Sequence, residues 1–327
     1  MVAQPVCDNN PVPGSNKNMA QESAPRRVHI AALCLGIVAL GLIYHFVGDK
    51  RIWGEWISVA PPIVWVVLLL PTAFRLRSWT ATGFLAGLLV TFTEWPRPRA
   101  ENGRPANSVR LVSWNIGAGN TNYLAPLRAY QPDIVLIQEG MKPLEPWEGF
   151  KWYGTPDPSV LTRFPAEILP TEKVGPWTEP QLLLLDIRGK SLIVANVRLM
   201  LPSVIMQIVH PLSENPVGNY KTRLEQYGKL AKLLKSTAEK TGTRSIILAG
   251  DFNLPATMPS LDPLREFLRD AWLAAGSGWG ATVPEFLPLS RVDQVWVSKD
   301  VQLLSVKAVA LAGSDHRGLI VDLESQP

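Results

Sequence analysis

From Val28 to Val47 the chain runs 20 residues without a Lys, Arg, Asp or Glu. A stretch of that length does not stay exposed in water, and a helix of it, rising about 1.5 Å per residue, is long enough to span a bilayer's hydrocarbon. A second charge-free stretch, Ile57–Phe74, follows, with Pro61, Pro62 and Pro71 near its ends, where a membrane helix tolerates proline. Trp79–Trp95 is weaker: it has several threonines, Glu94 at its edge and a tryptophan at each end, the placement of an interfacial belt. A buried core helix is the competing reading for each. The mean hydropathy of +0.08 is high for a soluble chain, and the apolar excess lies before residue 96.

These stretches divide the chain. Residues 1–27 are rich in Pro, Asn and Ser and read as a disordered tail, too long for the n-region of a cleaved leader. Residues 28–95 read as a membrane anchor of two or three helices, 96–107 as a Pro- and Arg-rich linker, and 108–327 as a separate domain. Short-loop charge does not orient the anchor. Lys17, Arg26, Arg27, Arg75 and Arg77 on one side face Lys50, Arg51, Arg97, Arg99 and Arg104 on the other. Arg26 and Arg27 abut the first stretch, so the tail is expected inside and, after three passes, the domain outside. The two cysteines, Cys7 and Cys34, both precede residue 96, so the domain has no disulfide and no thiolate metal site.

Within the domain, apolar runs alternate with helical patterns. "SVRLVSWNI", "DIVLIQE", "SIILAGD", "VDQVWVS", "LLSVKAVAL" and "GLIVDL" read as strands, and "QLLLLDI" with "KSLIVANVRL" as a hairpin turning at Arg188 and Gly189. Short helices are expected near "YLAPLRAYQ" and "PSLDPLREFLRD". Leu224, Tyr227, Ala231 and Leu234 form the apolar stripe of a longer one. Hairpins with intervening helices point to a layered α/β or α+β domain.

Polar groups recur where these strands end: Asn115, Glu139, then Asp251 with Asn253 after Gly250. Asp293 sits in an otherwise apolar strand and Asp315 precedes His316. In an extended chain residues i and i+2 share a face, which would put Asp251 and Asn253 side by side. An Asx turn is the alternative there. Asn115 could likewise cap a turn, and Asp293 with His316 could be a plain ion pair. Five such placements of oxygen-ligand or proton-transfer type suggest one cleft. His210 lies in no motif, and His29 and His45 lie near the ends of the first charge-free stretch.

In order, "SWNI", "LIQE", "LTRFP", "ANVRL", "GDFN", "RVDQVWVS" and "SDH" resemble the motifs of the endonuclease/exonuclease/phosphatase superfamily. The resemblance covers about Ser108 to Leu323. It implies a four-layer αββα sandwich, here preceded by transmembrane helices, and Mg²⁺- or Mn²⁺-dependent hydrolysis of phosphoesters. By it Glu139 is the metal ligand, with Asn115 beside it and Asp315 adding a second contact. Asp251 orients or deprotonates the water, Asn253 holds a phosphate oxygen, and His316, kept charged by Asp293, bonds the charge developing on phosphorus. Two positions depart from the pattern. Arg198 stands where the family has a histidine, and Gly318 where it has a proline. Arginine can bond a phosphate bidentately but does not exchange its proton near neutrality. An inactive membrane-anchored binding module is therefore the reading from another class.

From Arg97 onward there are 25 Lys and Arg against 23 Asp and Glu, too small an excess to mark a nucleic-acid surface. "LMLPSVIMQIVHPL" (199–212) is unusually apolar and reads first as packing against the core, with a membrane-facing lip as the alternative. Nuclease, lipid phosphodiesterase and lipid or inositol phosphatase all remain open. The expected partners are the phosphoester substrate and a lipid bilayer, with no protein partner implied, and the expected place a bacterial-type inner membrane with the domain periplasmic.

Overall fold

The computed structural model describes residues 38–59, 106–117, 123–140, 147–155, 157–209 and 216–324, together with residues 32, 35, 36, 97 and 104. The tail, the stretch Trp79–Trp95, nearly all of Ile57–Phe74, His29 and His210 lie outside the described residues.

Aliphatic runs build two six-stranded mixed sheets. The first comprises β1 (Val109–Asn115), β2 (Ile134–Gln138), β3 (Lys151–Gly154), β4 (Ser159–Thr162), β11 (Leu303–Val309) and β12 (Gly318–Leu323), in the order β11-β12-β1-β2-β4-β3. The second comprises β5 (Ala166–Ile168), β6 (Gln181–Ile187), β7 (Lys190–Arg198), β8 (Ile246–Asp251), β9 (Leu268–Asp270) and β10 (Asp293–Ser298), in the order β5-β6-β7-β8-β10-β9. Each sheet has one parallel pair, β1 with β2 and β7 with β8. Parallel neighbours need a crossover. The first is made by α2 (Leu124–Arg128), the second by α3 (Ser203–Val209) and α4 (Pro216–Thr241).

Inward residues of both sheets, among them Leu111, Leu136, Val194, Ile247 and Val295, share one apolar core. A second core lies between the second sheet and α4, through Tyr227, Leu230 and Leu234. A third lies between the first sheet and α2, through Leu124 and Leu127. The sequence therefore reads as buried strands because both faces of each central strand are covered.

The parallel pairs fix where polar residues go. Asn115 pairs with Gln138, and Arg198 with Asp251, so four strands finish at the same end of the two sheets. β10 runs antiparallel to β8 and starts there, with Asp293 opposite Asp251. Asp293 thus opens its strand instead of lying within it. Gly250 permits the close approach of β8 to β7. Its φ is +140°, and a Cβ there would lie 1.9 Å from the Val197 carbonyl oxygen. The Arg188–Gly189 hairpin turn has both residues at positive φ, 56° and 86°, the backbone that matches strand twist.

The chain before the domain also packs on it. A π-turn (Ile43–Val47), a 3-10 turn (Gly48–Lys50) and α1 (Ile52–Val59) lie against α4 and the 3-10 turn Pro259–Leu261. Tyr44 is buried in the α4 core. Arg223 of α4, fully buried, donates from Nε to Glu55 at 2.8 Å and from Nη1 to Asp49 at 3.2 Å. Asp49 also accepts from the Ser260 amide at 3.1 Å and from its hydroxyl. The last residues of the first charge-free stretch thus belong to the packing of the domain. No helix among the described residues is long and apolar enough to cross a membrane. Further on, Arg97 and Arg104 hold the expected linker to the domain, through Leu273 and Asp133 respectively.

Candidate active site

Asn115, Glu139, Arg198, Asp251, Asn253, Asp293 and His316 converge at the common end of the sheets. Asn115, fully buried, donates from Nδ2 to Glu139 at 3.1 Å and to Asp251 at 3.0 Å. It is a bridge between two carboxylates, and its amide oxygen is used on the Gly117 amide at 3.1 Å. Asp251 accepts two further hydrogen bonds from its own turn. The Asn253 amide N–H reaches Oδ1 at 2.8 Å and the Asn253 side chain reaches Oδ2 at 3.1 Å. Asn253 has φ 51°, so the pair meets through an Asx turn and not through the pleat of an extended strand. The side chain of Asn253 also holds the Leu199 carbonyl at 2.9 Å.

Glu139 is the other non-glycine site residue at positive φ, 57°. Such backbone costs of order 1–3 kcal/mol and persists where the surroundings impose it. Here its amide donates to Asp157 at 3.0 Å while its carboxylate takes Arg198 Nη2 at 2.7 Å. Arg198 closes the loop by reaching Asp157 from Nη1 at 2.9 Å. The guanidinium in the place of the family histidine is therefore a clamp on Glu139. Asp157 was not read from the sequence: it lies in the Pro-rich "GTPDPS", and its only signal is a carboxylate just before a buried strand.

His316 Nδ1 lies 2.8 Å from Asp293 Oδ2, and its backbone is fixed by Ser314 and Trp114. Burial disfavours the imidazolium, but Asp293, with Asp251 and Asp315 behind it, more than offsets that, and the pKa is pushed up to about 10. Asp251 moves the other way from its use as an anion. Burial first, then the charge of Asp293, push its pKa up to about 7. Asp315 is exposed; its backbone carbonyl holds Glu285 at 2.7 Å and its carboxylate acts on His316 by charge alone.

Replacing Asp293 by Asn should remove the main support for the imidazolium. If charged His316 is the working form, the rate falls as pH rises through its pKa. The alkaline limb should then move from near 10 to lower pH by at least about one unit. An unmoved limb in the pH–rate profile would take His316 out of that role.

The donor set suits a hard divalent cation. Oxygen donors dominate: Asn115 links the Glu139 and Asp251 carboxylates, and Asp251, Asp293 and His316 bring polar atoms within 4.8 Å of one another. Of these, His316, held as a cation by Asp293, offers no lone pair to a metal. Asp293 Oδ1 is buried without a hydrogen-bond partner. Four carboxylates (Glu139, Asp157, Asp251, Asp293) face two cations, Arg198 and His316, an excess of negative charge that a divalent ion balances.

Two stacked mixed sheets with carboxylates, amides and a charged imidazole at one end define an α/β sandwich of the phosphoester-hydrolase class. The family model described as Endonuclease/Exonuclease/phosphatase family matches residues 112–316, and the chain belongs to that family. Its members are phosphoester hydrolases. No curated protein sequence matches the chain. Among solved structures, an endonuclease/exonuclease/phosphatase family protein from Bacteroides thetaiotaomicron is similar with a TM-score of 0.51 at 16% identity, over 66% of this chain and 94% of that one. A mannosyl-6-phosphatase from the same organism gives 0.50 at 16%, over 66% and 99%. A family protein from Bacteroides vulgatus gives 0.50 at 17%, over 66% and 98%. At these identities the likeness is one of fold.

Proposed function

We propose that the protein is a membrane-anchored, divalent-metal-dependent phosphoester hydrolase. The observation that carries the reading is one hydrogen-bonded chain, Glu139–Asn115–Asp251, lying beside the Asp293–His316 pair. Asp251, poised near neutrality and fully buried, orients water and accepts its proton. Asn253, whose side-chain N–H groups are taken by Asp251 and the Leu199 carbonyl, would release one of them to hold a phosphoryl oxygen. His316 donates to the charge developing on phosphorus and keeps its proton because Asp293 holds it. Glu139, with Asp251 near it, would hold Mg²⁺ or Mn²⁺, which when bound supplies Lewis-acid polarisation of the phosphoryl oxygen. Arg198 keeps the Glu139 carboxylate in place. The retained Glu139, Asp251, Asn253 and Asp293–His316 pair argue against an inactive binding module, although Arg198 replaces the family histidine.

A cavity of ≈ 280 Å³ favours a phospholipid over nucleic acid as substrate. Asn253, Asp315 and His316 stand at its polar side, and Leu201, Ile205, Leu254, Val283 and Val292 form its apolar wall. A panel of DNA, RNA, phospholipid and inositol phosphates, each with Mg²⁺ and with chelator, tests both points. Hydrolysis of none would end the enzymatic reading.

Activity is expected to vanish in chelator and return with Mg²⁺ or Mn²⁺. Glu139→Gln should raise the metal concentration giving half-maximal rate. Full activity in excess chelator would refute the metal assignment.

The anchor rests on the charge-free length of Ile57–Phe74, together with the part of Val28–Val47 that precedes the turn packed on the domain. The full chain should stay with membranes through alkaline carbonate extraction; release into the supernatant would contradict it. The domain side is read by a reporter after Pro327. Activity on the periplasmic side fits three passes, and activity only in the cytoplasm overturns them.

A further inference from the structure

α1 is amphipathic in the wrong sense for a water-facing helix. Its polar residue Glu55 is fully buried, together with Gly54, while Ile52, Trp53 and Trp56 are exposed. Positions 52, 53 and 56 share one side of a helix. Just before it, Leu42 and Phe46 are exposed too, and Phe46 is 73% exposed. A buried carboxylate beneath an exposed aromatic row is the informative inversion of the usual pattern. The inner side explains the carboxylates, since Arg223 neutralises Asp49 and Glu55. Nothing among the described residues covers the outer side.

We propose that residues 42–59 form a strap whose outer face, led by Phe46, Trp53 and Trp56, lies in the interfacial region of a lipid bilayer and holds the catalytic domain against it. This rests on the membrane anchoring proposed above and adds to it a fixed docking face. Three observations select lipid over a second protein copy. The strap runs at both ends into the charge-free stretches Val28–Val47 and Ile57–Phe74. Tryptophans at a span's edge favour the headgroup level. Exposed Arg51 lies between Phe46 and Trp53, where anionic headgroups would meet it.

The strap also reaches the cleft. Tyr44 Oη lies 3.3 Å from Thr257 Oγ1, Asp49 holds Ser260, and Lys50 pairs with Asp262 at 2.6 Å. That loop starts at Leu254, the residue after Asn253, and Leu254 and Pro255 line the apolar cavity beside His316. The strap thus touches the same loop, residues 254–262, whose first residues line the cavity.

The test uses the full chain in vesicles of phosphatidylcholine with phosphatidylglycerol, with Cys7→Ser and Cys34→Ala as background. Trp53→Cys and Trp56→Cys, singly, carry a nitrobenzoxadiazole probe. Leu304→Cys, at the far end of the sheets from the cleft, is the control. The strap predicts blue-shifted probes at 53 and 56 that lose fluorescence to phospholipid nitroxides placed near the headgroup, and an unquenched probe at 304. Unquenched probes at 53 and 56 in a chain that stays with the vesicles overturn the strap and leave anchoring and hydrolysis standing. Disulfide-linked dimers through unlabelled Trp53→Cys would overturn it in favour of a second copy. The assay is run in chelator, where the proposed metal-dependent hydrolysis of phospholipid is off, so the outcome is independent of the proposed activity.

Discussion

Asp251→Asn is expected to lower kcat at least about a hundredfold, because a positioned proton-transfer group contributes on that order. The substituted side chain matches the carboxylate in shape. It keeps one acceptor for the Asn253 amide, while its NH₂ can neither accept a proton nor take the donors of Asn115 and Asn253. His316→Ala should cost as much, through loss of the cation. Both positions lie at strand ends, so melting temperature and far-UV circular dichroism should change little. The removal of buried like charge beside Asp293 partly offsets the lost hydrogen bonds at 251. Either variant hydrolysing at near wild-type rate under saturating metal would exclude that residue from the mechanism.

The largest expected effect on stability comes from Arg223→Met, away from the cleft. It leaves Asp49 and Glu55 buried with no cation, a loss of about 3–5 kcal/mol for breaking a buried ion pair from one side. Charge removal on both sides should recover much of it. Arg223→Met with Asp49→Asn and Glu55→Leu should therefore melt well above the single variant, because the penalty is for unpaired buried charge and not for lost attraction. Equal melting temperatures for the single variant and the wild type would show that the cluster carries no such weight.

Much of the cleft was legible in the sequence because buried strands have a period and an end. The apolar runs placed β1, β2, β8 and β10, and the polar residue at each end announced itself by contrast. The two-sheet α/β plan followed from the family motifs, not from the runs, since sheet order depends on contacts far apart in the chain. Short edge strands such as β3 and β5 were missed, being half exposed and weakly patterned, and β9 fell inside the helix expected near "PSLDPLREFLRD", which ends at Arg265. Missed too was the helix Ser203–Val209, whose apolar run reads as core packing or as a lip. The i, i+2 argument placed Asp251 and Asn253 together through the wrong geometry, because the chain turns at φ 51°. Asp157 and Arg223 were invisible for another reason. Their meaning lies in a partner 41 or 168 residues away, and nothing local distinguishes a clamped charge from a solvated one.

The buried cluster around Arg223 has a practical consequence for modularity. A shortened chain starting near residue 105 would keep every residue of the cleft but lose Tyr44, Asp49 and Glu55. Arg223 and the loop after Asn253 would be unroofed together. The segment from Tyr44 to Glu55 is part of the cover of that surface, so a shortened chain that keeps it is expected to melt above one that starts near residue 105.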